Sequence, residues 1–318
     1  MITITPISVA TLDHVFEKDL KSASIPNSSW MGEASAYFRL EGPVQRQPLV
    51  SLFKGFTPDG KVPFFSRIHE AVPDGWLIQF TAPPTVRNLW AMAPDRDRTE
   101  IEACHQHGSR YCLYSLERAL RGPTDGRLET QIPGLSMAVV PSDPLKQAIP
   151  QLQTDAFLPN LHLRIHGPAQ RVPFSPDDLE KKAKGLNALY IEKLFGRLHW
   201  SLGLEFIQEA SKESRIIGVP ELLGFSQEQK GKRPSGLSSL LHSPQSLKFQ
   251  EWQSRAEGQG WTKKDATALL KFSREKKSVW STFEQATLDK LDKIKSESEA
   301  PKKVTKKWGK TTTMTHSY

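Results

Sequence analysis

Apolar and polar residues alternate with period two in several short stretches of the chain and recur near every 3.6 residues in several longer ones. These are the periods of strands and amphipathic helices. Ile2 to Val9 reads as an opening strand, and Thr11 is placed to cap a short helix over Leu12 to Lys21. Gly75-Trp76-Leu77-Ile78-Gln79-Phe80-Thr81 is nearly continuous in apolar character, as a buried strand is, and Ala82-Pro83-Pro84 ends it. Val86 to Ala93 predicts a short helix, Arg98 to Ala119 a longer one, and Leu135 to Val140 another strand. Leu158-Pro159-Asn160-Leu161-His162-Leu163-Arg164-Ile165-His166-Gly167 follows as a further strand. On it His162, Arg164 and His166 would share one face, with Leu161, Leu163 and Ile165 on the other.

A strong helix start stands at Ser175-Pro176-Asp177-Asp178, with a capping hydroxyl, a first-turn proline and two carboxylates at the positive end of the helix dipole. Leu179, Ala183, Leu186, Tyr190, Leu194 and Leu198 then run down one face until Gly203, and Leu204 to Ile207 gives a short strand. Pro220 to Gln227, Phe249 to Gly258 and Trp261 to Ser273 read as helical, with a basic loop over 229–247. Strands alternating with helices in the first half and helices in the second predict an α+β fold. Its antiparallel sheet would carry helices on one face, and the chain would end in a helical extension. The expected organisation is one domain over 1–284, its extension spanning about 210–284, and a basic disordered tail over 285–318.

Charge changes this picture in one place. The net charge is +8, and residues 301–318 supply five lysines of it, Lys302, Lys303, Lys306, Lys307 and Lys310, with no acid. The rest of the chain is nearly balanced, so a polyanion would meet the tail or a local cluster. No apolar run is long enough to cross a membrane. The start Met1-Ile2-Thr3-Ile4-Thr5 lacks the form of a secretion signal. Cys104 and Cys112 sit eight apart on one predicted helix, about 12 Å of rise. That is too far for a disulfide, and the expectation is two buried thiols in a cytoplasmic protein.

Candidate chemistry centres on the histidines and tyrosines. A metal site needs three ligands, and arginine cannot be one. His162 and His166 have Arg164 between them; His69 and Asp155 are the residues that might complete a set, and no spacing requires it. A fixed cation at Arg164 suits a phosphate contact better. His105 and His107 lie two apart on a helix and diverge, which predicts surface histidines. Tyr37, Tyr111, Tyr114 and Tyr190 all fall on predicted helices, Tyr111 and Tyr114 with the spacing of a core pair. Trp308 in the tail is free to stack on a base.

Several stretches then fall into a known order. Trp30-Met31-Gly32-Glu33-Ala34 with Leu40-Glu41-Gly42-Pro43-Val44 resembles the W-x-G…L-x-G-x-V segment of the MobF class of conjugative relaxases, the TrwC/TraI type. Phe80-Thr81-Ala82-Pro83-Pro84-Thr85-Val86 resembles that family's T-F-S-A-P-K-S-V, and Pro159-Asn160-Leu161-His162 its D-P-Q-L-H. Tyr190-Ile191-Glu192-Lys193-Leu194, Ile217-Gly218-Val219-Pro220 and Phe272-Ser273-Arg274-Glu275-Lys276-Lys277 are similar to three later segments, over about residues 28–279 in all. The resemblance implies a relaxase-type sheet with helices packed on it. It also implies a family chemistry in which a tyrosine attacks one DNA strand beside a metal held by three histidines and an acid.

This chain departs from that pattern at the chemical positions. No tyrosine precedes Trp30, and Phe16 is the nearest aromatic. Leu77 stands at the acid's place, with Asp74 a displaced substitute, and Pro84 at the lysine's. No histidine lies near Val139 to Pro141, and Arg164 replaces the second member of the H-x-H pair. The resemblance therefore implies a DNA-binding protein of a plasmid or other mobile element, without catalytic residues, resident metal or cofactor. It would act as an accessory or regulatory binder in conjugative transfer. Its partners would be single-stranded or hairpin DNA, and other conjugation proteins, but no membrane. The DNA-contacting residues would be His162, Arg164 and His166 with Lys302, Lys303, Lys306 and Lys307. Two other readings stand beside this one: a nicking enzyme that uses a divalent metal at a relocated site, and a protein-interaction module whose cleft is filled by its own side chains.

Overall fold

A computed structural model describes residues 1–12, 24–64, 73–120, 134–141, 152–160, 176–207, 214–221 and 245–277. Five strands form one antiparallel sheet: β1 (Ile2–Ile7), β2 (Ser29–Met31), β3 (Gly75–Thr81), β4 (Met137–Pro141) and β5 (Gln153–Pro159), in the order β1-β3-β5-β4-β2. β3 and β5 are the central partners, with Ile78 opposite Ala156 and Gln79 opposite Asp155. β3 is where its composition places it. β5 runs from Gln153 to Pro159, all of it buried; of the strand expected across 158–167, residues 161–167 lie outside the described residues.

Period two divides the sheet into two faces. One face shows Trp76, Ile78, Phe80, Met137, Val139, Ala156 and Leu158 to the larger core. Three helices cover it: α3 (Pro84–Met92), α4 (Asp95–Leu120) and α5 (Pro176–Leu202). α3 enters on Pro83-Pro84, where the missing N–H costs nothing at a first turn, and seven of its nine residues are buried. α4 carries Asp95 and Asp97 in its first turn.

The other face shows Leu77, Ala138, Val140 and Phe157 to a smaller core. Leu49 and Phe53 of α2 (Arg46–Phe53) close it, with Ile7, Leu12 and Val44. Both faces are thus covered, although the long helices lie on one side as expected. The first helical turn begins after Ser8, not after Thr11. Leu12 N–H donates to Ser8 O at 3.1 Å and Thr11 N–H to Ser8 Oγ at 3.3 Å. A short helix, α1 (Glu33–Tyr37), follows β2 through Gly32.

The C-terminal segment joins the larger core. Trp252, Ala256, Trp261, Ala266 and Leu270 belong to it. α6 (Gln245–Gly258) sends Gln253 Nε2 to Ala91 O at 2.8 Å, and Trp261 Nε1 donates to Asn88 O at 3.3 Å. A small second sheet pairs β6 (Phe206–Ile207) with β7 (Arg215–Ile216), and Ile216 N–H donates to Thr85 Oγ1 at 3.1 Å. Residues Met1–Arg274 form one compact unit. No described helix is long and apolar enough to cross a membrane.

Candidate nucleic-acid interface

The smaller-core face is apolar toward one end of β3 and β5 and polar toward the other. At the polar end Gln79 of β3 and Gln153 and Asp155 of β5 stand on the same side of the sheet. Asp155 is fully buried. Gln153 Nε2 donates to Asp155 Oδ1 at 2.7 Å, and Gln79 Nε2 donates to the same oxygen at 3.1 Å. Thr3 Oγ1 of β1 lies 3.4 Å from Gln79 Oε1 and continues the polar row. The second carboxylate oxygen, Oδ2, has no hydrogen-bond partner among the described residues. Burial pushes the Asp155 carboxyl up to about 6, against the downward pull of the two amide donors.

On the opposite side of β5, Thr154 faces α4 and α5. His105 of α4 spans the gap: Nδ1 lies 2.7 Å from Tyr190 Oη of α5 and Nε2 lies 3.0 Å from Thr154 Oγ1. Both ring nitrogens are engaged, and burial, with the chain's N-terminal charge a smaller cause, pulls the imidazole down to about 3. His105 is therefore a neutral core residue, not the surface histidine its spacing predicts. Helix periodicity shows where a residue sits on its own helix, but the tyrosine and threonine that make its burial tolerable come from distant segments. His107, one turn away from the core, is exposed as expected. Tyr190 is fully buried and its phenol is pushed well above its ordinary value.

Tyr111 and Tyr114 do not form a core pair. They are 40% and 51% exposed, because α4 packs on α5 through Gly108 and Cys112 instead. Cys104 and Cys112 are free and buried, as expected. Burial raises them to about 11 and about 12. Asp74 is no stand-in for a sheet acid. It lies before β3, at the end remote from Gln79, where Oδ2 accepts Val9 N–H at 2.9 Å and its carbonyl accepts Asn160 N–H at 2.9 Å. Leu77, at the acid's place, is a buried core residue.

His162, Arg164, His166, Phe16, His69, Lys302, Lys303, Lys306, Lys307 and Trp308 lie outside the described residues. The cluster the structure does bring together, Gln79, Gln153 and Asp155, is signalled in the sequence only by polar residues at alternate positions of apolar strands. Asp155 was legible as a candidate, but neither glutamine was. Among the described residues no group of three or more His, Cys, Asp or Glu could hold a metal ion.

A family model described as TrwC relaxase matches residues 13–311. The Multifunctional conjugation protein TraI of Escherichia coli is 23% identical over 231 residues, 70% of this chain and 13% of that protein. Its counterpart in strain K12 is 24% identical over the same length. The chain thus spans about an eighth of these curated relatives. Among solved structures, the conjugative relaxase TrwC in complex with oriT DNA, in its metal-free form, superposes with a TM-score of 0.61 at 19% identity. That match covers 83% of this chain and all of the other. The metal-bound form gives 0.59 at 18% identity with the same coverage. TrwC complexed with a 27-mer comprising the recognition hairpin and the cleavage site also matches, with a TM-score of 0.59 at 19% identity.

Proposed function

The chain belongs to the TrwC relaxase family, and from that premise we propose that it binds transfer-origin DNA, as a single strand or hairpin, without cutting it. The observation that carries this reading is the Asp155 cluster. The family's histidine motif opens with P-Q-L, and Pro150-Gln151-Leu152 repeats those letters just before β5. That placement sets Gln153 and Asp155, two apart on one face of β5, where an H-x-H pair would stand. The placement at His162 and Arg164 loses one histidine of the pair; this one loses both.

The donors present do not fit a histidine-held metal. Asp155 Oδ1 is occupied by two amide N–H donors, and an ion there would meet those same N–H groups. Oδ2 alone is a single ligand, short of the three an open catalytic site uses. His105, the described histidine nearest this strand, spends both nitrogens on Tyr190 and Thr154. No described tyrosine lies before Trp30 either. What the family scaffold offers in place of cleavage is a shaped surface for a phosphate backbone. His162, Arg164 and His166, with the tail lysines 302, 303, 306 and 307, are the cations proposed to touch it.

Fluorescence anisotropy with hairpin and single-stranded oligonucleotides, across a salt series, tests the reading. The expected result is binding that weakens linearly in log salt, unchanged by EDTA. Replacing the four tail lysines by glutamine lowers the slope, and Arg164→Ala weakens binding at every salt concentration. Absence of binding at low salt overturns the proposal. So does nicking of supercoiled plasmid with a covalent protein–DNA adduct on denaturing gels.

A further inference from the structure

The outer surface of the α4–α5 pair carries a second feature that the Asp155 face does not explain. His107, Tyr111, Tyr114 and Arg118 succeed one another at three- and four-residue steps on α4, and all four are exposed. Two half-exposed phenol rings thus stand within one turn of each other on a long helix. Here each ring has a cation beside it. Lys193 Nζ of α5 sits 4.7 Å from the Tyr111 centroid, and the Arg118 guanidinium carbon lies 5.9 Å from that of Tyr114. His107 is a further neighbour of Tyr111, centroid to centroid 6.5 Å at 35°. Arg110, on the same exposed side, is tied to Ser29 Oγ at 2.8 Å and so is held in place. The carboxylate within the group is Glu192, which pairs with Lys193 at 2.9 Å in solvent and is easily displaced.

The row thus alternates ring and cation, with positive charge in excess. An apolar partner would have to leave these cations unpaired, and an acidic peptide has no use for ring faces. A single nucleic-acid strand uses both: phosphates take the lysine and arginines, and the faces those cations leave accept bases. We propose that the His107–Arg118 face of α4, with Lys193, is a stacking platform for single-stranded nucleic acid. It lies on the outer side of the helical layer, whereas the Asp155 cluster lies on the opposite face of the sheet. The platform would hold strand that runs beyond the segment bound at that face. It extends the DNA-binding reading above, yet it rests on separate residues.

The test uses the full chain and two probes, a dT30 oligonucleotide and a short hairpin without overhang. The Tyr111→Leu/Tyr114→Leu variant is expected to bind dT30 at least tenfold more weakly and the hairpin within twofold of the parent. Arg118→Glu with Lys193→Glu is expected to do the same more strongly at low salt. Unchanged circular dichroism and melting temperature show that both variants are folded; if the tyrosine pair is not, the charge pair decides. Bromodeoxyuridine crosslinking is expected to label peptides of α4. Equal dT30 affinity in both variants overturns the platform. So does competition by polyglutamate as effective as by dT30, because that makes the face a site for acidic protein. Hairpin binding with an unaltered dT30 affinity in the variants removes this inference alone. Loss of dT30 in the variants beside no hairpin binding by the parent removes the hairpin part of the transfer-origin reading and keeps the platform.

Discussion

Asp155 and Thr154, the strand partner of His105, are neighbours on β5 and point to opposite faces of the sheet, and the titrations of Asp155 and His105 oppose each other. The folded Asp155 carboxyl keeps its proton up to about 6, whereas an ordinary carboxyl loses it near 3.8. Between those values the folded state holds more protons than the unfolded one, so this group's contribution to stability falls as pH rises. Asp155→Asn removes that dependence. Its stability relative to the parent is expected to improve by roughly 2 kcal/mol between pH 4 and pH 7, measured by urea unfolding at each pH. His105 has the reverse sign. The unfolded imidazole takes a proton near 6.5 and the folded one not until about 3, so stability present above 6.5 is lost as pH falls toward 3. Tyr190→Phe leaves His105 Nδ1 without its partner at 2.7 Å, and about 1–3 kcal/mol of stability is expected to go with it; a melting curve at neutral pH checks this. Little of this was readable in the chain. The spacing of His105 and His107 described α4 alone, and nothing local revealed that Thr154 and Tyr190 would converge on one of them.

At the scale of elements, what the chain disclosed was period and punctuation. β3, α4 and α5 fall close to where alternation, Pro83-Pro84 and Ser175-Pro176 put them. β5 carries a weak signal, because Gln153-Thr154-Asp155 is less conspicuous than the His-x-Arg-x-His alternation after Pro159, which lies outside the described residues. A strand buried on both faces shows no clean alternation to find it by. One glycine of the W-x-G segment has a definite physical reason. Gly32 joins β2 to α1 at φ 98°, and a Cβ there would lie 2.1 Å from Leu135 O. Glu117 braces the same junction: its Oε1 accepts N–H from Glu33 at 2.9 Å and from Leu135 at 2.7 Å. Gly32→Ala is therefore expected to cost about 3 kcal/mol or more, from strain in the left-handed region plus the clash. A denaturant midpoint shift, or failure to purify a folded protein, reads this out.

For the whole molecule, the α+β class and the relaxase-type sheet were legible from the order of weak motifs, and the match over residues 13–311 bears them out. Invisible in any one segment was the order in which the strands meet. β1 pairs with β3 across more than seventy residues, β3 with β5 across a similar span, and the edge strand β2 finds β4 from more than a hundred residues away. Among the described strands of the five-stranded sheet, β4 and β5 are the one pair of neighbours consecutive in the chain. During synthesis, then, β1 and β3 can pair early, but β2 and the other edge of β3 wait for β4 and β5, and the sheet closes only after Pro159 has left the ribosome. Until that moment Gly75–Thr81 offers an open, apolar edge to any other copy nearby. Sequence separation of this kind makes folding slow relative to a helical chain of equal length. Yield should accordingly rise when translation is slowed or the temperature lowered, and ribosome-bound chains stalled before Gln153 should be the protease-sensitive ones.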